Sequence, residues 1–141
     1  MIILSIDTSQ AASVALVDTE SGTVLAAEQA DDQRRHVEFI GPALASVLAH
    51  SVQPELVVTG IGPGPFTGLR GGIAAGIAVG QARGIPVKGL LSQAALAEEL
   101  RQSDARPSGP VLIAADARRK EVYFSVYDSS DATLQAGPVV A

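Results

Sequence analysis

The sequence contains no cysteine, no tryptophan and only two histidines. Without cysteine there is no disulfide, no thiolate nucleophile and no thiolate ligand for a metal ion. His36 and His50 stand at opposite ends of one predicted helix, which is too far apart for a shared metal ion. No Ser-His-Asp set can be assembled with any specificity. These absences exclude disulfides, thiolate catalysis and cysteine-based metal sites, and they argue against a histidine metal site or a Ser-His-Asp triad.

Aromatic residues make up only 4% and charged residues 18% of the chain, whereas hydrophobic residues make up 47%. The core must therefore be built from Ala, Val, Leu and Ile. The net charge of −5 makes the chain a poor stand-alone binder of nucleic acid, so a partner would have to supply the basic surface. The N-terminus lacks the features of a signal peptide, and residues 71–82 are too few to span a bilayer. We expect a cytoplasmic protein that does not contact membranes.

Periodicity and turn residues predict a chain of alternating strands and helices. Strands are predicted over residues 2–6, 13–17, 23–29, 56–59 and 87–90, and helices over residues 36–50, 68–83 and 92–101. Ser92 is expected to cap the third helix, and Pro42 to kink the first helix or mark its first turns. The order βββαβαβα, beginning with an antiparallel meander, indicates an α/β fold with a mixed sheet flanked by helices.

Further strands are predicted over residues 111–115, 121–127 and 133–136. We expect an N-terminal lobe over residues 1–105, followed by a connector and the first strands of a second lobe over residues 106–141. The chain is accordingly expected to be the N-terminal part of a longer protein. A complete small domain with an extra hairpin is the alternative.

A glycine-rich passage, GIGPGPFTGLRGG, occupies residues 60–72. It lacks the Gly-Lys-Ser/Thr of a P-loop and the third glycine of a dinucleotide fingerprint. Pro63 and Pro65 also remove two backbone donors from the segment that would have to cradle a phosphate. The passage predicts a rigid strand-to-helix turn, with Thr67 as the helix N-cap. The residues assigned to this turn are Gly62, Pro63, Gly64, Phe66, Thr67 and Gly68.

Glycines recur at every fourth position of the second helix, forming a glycine ridge of Gly68, Gly72, Gly76, Gly80 and Gly84. Each interior glycine costs roughly 0.5–1 kcal/mol relative to alanine. Close approach of another backbone is expected to offset that cost. The neighbour is either the chain's own sheet or a partner subunit, and the sequence leaves both open.

Two acidic turns are weak candidates for nucleotide binding. Asp7, Thr8 and Ser9 follow the first strand, as in the first phosphate loop of actin-like ATPases, but the turn lacks glycine. Asp116 follows a later strand and precedes Arg118 and Arg119, which could contact an anion. The alternative for this second turn is an exposed, solvated loop.

The glycine-rich passage resembles the signature of the TsaB (YeaZ-type) family, a subunit of the bacterial machinery that makes threonylcarbamoyladenosine in tRNA. ILSIDTSQAASVAL near the N-terminus and DARRKEVYFSVY from Asp116 resemble that family as well. The resemblance implies a two-lobed actin/Hsp70-like (ribonuclease H-like) fold and a catalytically degenerate subunit. The metal-binding histidines of the related TsaD would fall at Ser92 and Leu96, which cannot bind a metal. Pro65 stands at a position where the family pattern usually has a serine.

The resemblance also implies partners. We expect a non-catalytic subunit that docks TsaD, is joined by TsaE, forms a homodimer in isolation and meets tRNA only through the complex. No cofactor is expected on the chain alone, with ATP or ADP a candidate at a shared interface. An actin-like nucleotide-hydrolysing enzyme and a stand-alone tRNA-binding module are the alternatives. The expected partner interface comprises His36, Val37, Ile40, Leu44, Val47, Arg70, Ile73, Gly76, Ile77 and Gly80.

Overall fold

The computed structural model describes residues 1–30 and 36–141, so the charged loop predicted at residues 31–35 lies outside the described residues. The chain forms eight strands and three helices in this part. They are β1 (Ile2–Asp7), β2 (Ser13–Asp18), β3 (Thr23–Gln29), α1 (His36–Leu48), β4 (Leu56–Gly60), α2 (Phe66–Arg83), β5 (Val87–Leu90), α3 (Ser92–Gln102), β6 (Pro110–Arg118), β7 (Glu121–Asp128) and β8 (Leu134–Val140).

The first sheet has five strands in the order β3-β2-β1-β4-β5. Strands β1, β2 and β3 form an antiparallel meander, whereas β1, β4 and β5 run parallel. Leu4 of β1 pairs with Leu16 on one side and with Val57 on the other. The predicted order βββαβαβα and the mixed sheet are therefore confirmed. Pro42 lies in the middle of α1 rather than in its first turns.

Helices α1 and α2 pack side by side on one face of this sheet. Side chains alternate across a strand, so Leu4 and Ile6 of β1 point toward these helices and are buried. Ile40 and Val47 of α1 belong to the same hydrophobic core. They were predicted to belong to the partner interface, but the sheet of their own chain covers them. The apolar periodicity of α1 reports core packing rather than docking.

The glycine ridge of α2 lies directly on the sheet. A methyl group added at Gly72 would overlap the Thr8 side chain, and one added at Gly76 would overlap Thr59. Gly80 is similarly close to Val87 of β5. Gly76 and Gly80, which were also predicted at the partner interface, face β4 and β5 of their own chain. Their missing side chains allow α2 to approach its own sheet.

The predicted helix caps are wrong. Helix α2 begins at Phe66 with Pro65 in the N-cap position and no side-chain cap, so Phe66, Thr67 and Gly68 form its first turn. Helix α3 has Leu91 as its N-cap residue, and Ser92 is already helical. The restricted φ of proline, −59° in Pro65, is compatible with entry into a helix.

The second sheet consists of β6, β7 and β8 in sequence order, with all strands antiparallel. Helix α3 packs against β6 and β7. Tyr127 and Ser125 of β7 are buried in this second layer. None of the described helices is long and apolar enough to cross a membrane.

Candidate functional site

A cleft of about 420 Å³ opens at the carboxyl ends of β1, β4 and β5. Ser5, Asp7 and Gly60 line it, whereas their neighbours Leu4, Ile6 and Thr59 point toward the helices. The cleft therefore lies on the face of the sheet opposite α1 and α2. Crevices at the carboxyl ends of parallel strands are the usual ligand sites of α/β folds. The other lining residues are Ser9, Gln10, Ala11, Ser13, Gln29, Val58, Pro63, Leu90, Ser92, Gln93, Ala95, Leu96 and Ala115.

Asp7 lies at the centre of the cleft floor. Its Oδ1 accepts hydrogen bonds from the Ser9 backbone N–H at 2.8 Å and from the Ser9 hydroxyl at 2.6 Å. Its Oδ2 occupies the space in which a side chain at Gly60 would begin, and Ser92 Oγ is 2.8 Å from that same point. Gly60 is thus required for the Asp7 carboxylate to lie flat against β4.

The glycine-rich loop after β4 uses its backbone donors within the chain. The Ile61 N–H donates to the Leu90 carbonyl at 2.9 Å, and the Gly62 N–H donates to Ser92 Oγ at 3.3 Å. Pro63 and Pro65 have no N–H to offer. Phosphate cradles need several backbone N–H groups that point at the ligand. Ile61 and Gly62 therefore have no free N–H to offer a bound polyphosphate.

The structure separates the four candidate nucleotide-binding residues. Asp7 and Ser9 meet in the cleft, but Thr8 points to the opposite face, where its hydroxyl donates to the Gly68 carbonyl at 2.6 Å. Asp116 is exposed near the end of β6 and accepts the Arg118 N–H at 2.8 Å. Its neighbour Ala115 lines the cleft instead. Thr8 and Asp116 are thus not part of one site with Asp7.

Among the described residues that line the cleft, Asp7 is the only ionisable one. A carboxylate repels phosphate, and no lining cation compensates for it. In residues 1–30 and 36–141, no three His, Asp or Glu side chains gather closely enough to hold one metal ion. Ser92 and Leu96 both line the cleft, one helical turn apart on α3. Neither a hydroxyl nor an alkyl chain replaces the imidazoles that the resemblance places there in TsaD.

Sequence analysis missed Gln93, which joins α3 to β7 of the second sheet. This residue is 2% exposed. Its Nε2 donates to the Tyr123 carbonyl at 3.1 Å, and its Oε1 accepts from the buried Ser125 hydroxyl at 2.5 Å. A glutamine in the first turn of an amphipathic helix is ordinarily expected at the surface, so no local signal reveals its role.

Helix α2 carries a second stripe, here called the outer stripe, comprising Phe66, Arg70, Ile73 and Ile77. Phe66 is 73% and Ile77 45% exposed, and Ile73 is half-buried. The Arg70 guanidinium lies 5.2 Å from the centre of the Phe66 ring, within the range of a cation–π contact. Leu44 of α1 is half-buried against the core. The side chains of His36 and Val37 lie outside the described part of the chain.

Comparison with known proteins identifies relatives across nearly the whole chain. The family described as "TsaD: tRNA N6-adenosine threonylcarbamoyltransferase" matches residues 23–140. An uncharacterised protein of Mycobacterium leprae is 40% identical over 99% of this chain and 38% of its own length. The tRNA threonylcarbamoyladenosine biosynthesis protein TsaB of Haemophilus influenzae is 41% identical over 87% of this chain and 52% of its own length.

A solved structure has the same fold. YeaZ from Pseudomonas aeruginosa superimposes with a TM-score of 0.78 at 28% identity, covering 99% of this chain and 66% of that one. The chain thus spans between about two fifths and two thirds of the length of these relatives. The TsaB/YeaZ resemblance and the actin-like fold are confirmed. The chain belongs to the TsaD family of tRNA N6-adenosine threonylcarbamoyltransferases, and within that family it is similar to the TsaB proteins.

Proposed function

We propose that this chain provides the TsaB-type function in the biosynthesis of threonylcarbamoyladenosine in tRNA, as a non-catalytic subunit that docks TsaD. The observation that carries the proposal is the similarity to two TsaB proteins, combined with a cleft in which Asp7 is the only ionisable residue among the described lining residues. A role beside TsaD and tRNA would place the protein in the cytoplasm. TsaE would join the same assembly.

The outer stripe of α2 supports the docking proposal. Its Phe66 is the most exposed large apolar side chain of the described residues, and Ile77 extends the apolar surface nearly three helical turns further along. Aromatic and arginine side chains dominate the energetic centres of protein interfaces, and here Arg70 lies over the Phe66 ring. Gly76 and Gly80 would contribute indirectly, because they hold α2 against the sheet. In isolation the same stripe could pair with a second copy of the chain.

We infer that the chain is not catalytic from the side chains that line the cleft. Asp7 already accepts two hydrogen bonds from Ser9, and no lysine, arginine or histidine lines the cleft among the described residues. Phosphoryl-transfer chemistry requires cationic groups or a metal ion close to the reacting atoms. We therefore expect the chemistry to take place on TsaD.

The outer stripe and the cleft lie on opposite faces of the first sheet. A partner that docks on α2 would leave the cleft uncovered. A nucleotide shared between this chain and TsaD would accordingly bind beside α2 rather than in the cleft. We expect no cofactor on the chain alone.

Reconstitution tests the proposal. Formation of threonylcarbamoyladenosine on unmodified tRNA is measured with TsaD and TsaE of the same organism, with and without the full-length protein. We expect modification to require the protein, and no modification from the protein alone. Equal product with and without it would contradict the proposed role.

A further inference from the structure

The turn between β6 and β7 carries three consecutive cations, Arg118, Arg119 and Lys120, here called the cationic turn. All three are exposed, and none makes an ion pair with a described residue. Asp116 and Glu121 flank the turn, and the Asp116 carboxylate is engaged by the Arg118 backbone N–H. The positive charge is notable because the chain as a whole carries −5.

The backbone of this turn is strained. Arg118, Arg119 and Lys120 have φ values of 64°, 53° and 67°, a left-handed conformation that favours glycine and asparagine. Arg118 pairs with Glu121, so Arg119 and Lys120 form a two-residue hairpin loop. Asn-Gly is the preferred sequence of such a loop. Long cationic side chains here are unfavourable for folding, and strain of this kind is typical of functional positions.

The hairpin is anchored at its base and projects at its tip. Tyr123 pairs with Ala115, and its carbonyl accepts the Gln93 hydrogen bond from α3. Ala115 lines the cleft, whereas none of the three cations does. The cationic turn therefore stands on a fixed support outside the cleft rather than inside it.

We propose that the cationic turn binds the phosphodiester backbone of RNA, which under the proposed function is the tRNA to be modified. Exposed cations on long side chains suit an extended polyanion, which they bind with little sequence preference. A free nucleotide is a poorer match, because small ligands bind in sites that enclose most of their surface. The inference rests on the proposed function and adds a direct RNA contact to it.

The test replaces the cations while relieving the strain. The double variant Arg119→Asn/Lys120→Gly inserts the preferred hairpin residues, so we expect its Tm to equal or exceed that of the wild type. Binding of unmodified tRNA to the full-length protein, alone and in the presence of TsaD, is measured over a range of salt concentrations. Each lost phosphate contact lowers the slope of log K against log salt by about 0.9, so we expect a decrease of about two. At physiological salt we expect affinity to fall about tenfold.

Lys88→Gly/Arg106→Asn is the matched control, since it removes two exposed cations from elsewhere in the chain. We expect it to retain most of the affinity and the salt dependence. Unchanged tRNA binding in the cationic-turn variant would overturn the inference, as would a wild-type protein that binds no tRNA in either condition. A variant that loses affinity for ADP but not for tRNA would also overturn it and would assign the turn to nucleotide phosphates. The measurement with the protein alone tests RNA binding independently of TsaD. If TsaD does not bind the protein, that result contradicts the proposed function and leaves the RNA inference to be decided by the protein alone.

Discussion

Thr59 of β4 fills the space in which a side chain at Gly76 of α2 would begin. The Thr59 Cγ2 atom overlaps the position of a Cβ built on Gly76, and Val57 Cγ1 lies 3.4 Å from that position. The contact explains why a helix interior tolerates glycine at this position. The backbone of α2 approaches the sheet more closely than any side chain would permit.

Gly76→Ala should therefore destabilise the protein, although alanine is the better helix former. Overpacking costs typically 1–3 kcal/mol, which exceeds the helix-propensity gain of about 1 kcal/mol. Gly71→Ala is the matched control, because nothing lies within 4 Å of its added Cβ. We expect this control to stabilise by about 0.5–1 kcal/mol. Both are measured by urea denaturation.

Removing the obstacle should rescue the first variant. In a Thr59→Ala background, the cost of Gly76→Ala should become small or change sign, since the overlapping methyl group is gone. The double-mutant cycle isolates the contact between the two residues. Equal destabilisation of Gly76→Ala in both backgrounds would show that the ridge is not explained by packing on β4.

Gln93→Leu should weaken the attachment of α3 to β7. It leaves the Ser125 hydroxyl buried without its partner, which costs about 1–3 kcal/mol. In the Gln93→Leu background, Ser125→Ala should lower the free energy of unfolding by less than it does in the wild type. Both polar partners are then replaced, and no hydroxyl is left buried without a partner. Gln102→Leu serves as the control, since the amide of Gln102 contacts only the exposed Glu98 and its loss should matter little. Strict additivity of the Gln93 and Ser125 effects in chemical denaturation would argue against this bridge.

Asp7→Asn should leave tRNA modification within about twofold of the wild type in the reconstituted assembly. Asparagine retains an oxygen that can accept the Ser9 hydrogen bonds, so the fold is kept while the charge is removed. A catalytic carboxylate typically contributes 10²–10⁴-fold to the rate. A loss of that size, with an unchanged Tm, would favour an enzyme of the nucleotide-hydrolysing class.

The pKa of Glu98 is lowered to about 2 by hydrogen bonds from Arg101 and then Gln102, with the Arg101 charge contributing further. A carboxyl whose pKa is depressed by folding contributes stability above its unfolded value of about 4.5, and this contribution is lost as the pH falls toward 2. The Tm difference between wild type and Glu98→Gln should therefore be small at neutral pH, because the pair is exposed, and should vanish near pH 2. A difference that grows on acidification would contradict this assignment, and NMR titration of Glu98 checks the pKa directly.

The order of strands and helices could be predicted from the sequence because each element carries its own signal. The apolar run in β1 and the spacing of apolar residues in α1 gave their positions, but spacing alone does not distinguish a core face from a docking face. Ile40 and Val47 were for this reason assigned to a partner although they pack on the sheet. The same ambiguity affected Gly76, since a bare backbone indicates close approach without identifying the neighbour. Gln93 was missed because its two partners come from β7, about thirty residues away in the chain.

The helix starts were mispredicted because competing contacts determine them. Ser92 is a favourable N-cap residue in isolation, but its hydroxyl accepts the Gly62 N–H from the neighbouring loop. Thr67 is similarly available for capping, but Pro65 already sets the entry into α2 two residues earlier. Both errors arise at the junction of loops from different strands.

The affinity between the full-length protein and TsaD of the same organism tests the central claim most directly. Ile77→Arg places a charge in the outer stripe, whereas Leu112→Arg places one on a still more exposed apolar residue of β6. Truncation or charge at an interface centre typically costs 2 kcal/mol or more, so we expect Ile77→Arg to raise the Kd by about thirtyfold or more with an unchanged Tm. Leu112→Arg should stay within about twofold of the wild type. Equal affinity for TsaD in the wild type and the Ile77→Arg variant would contradict docking through α2.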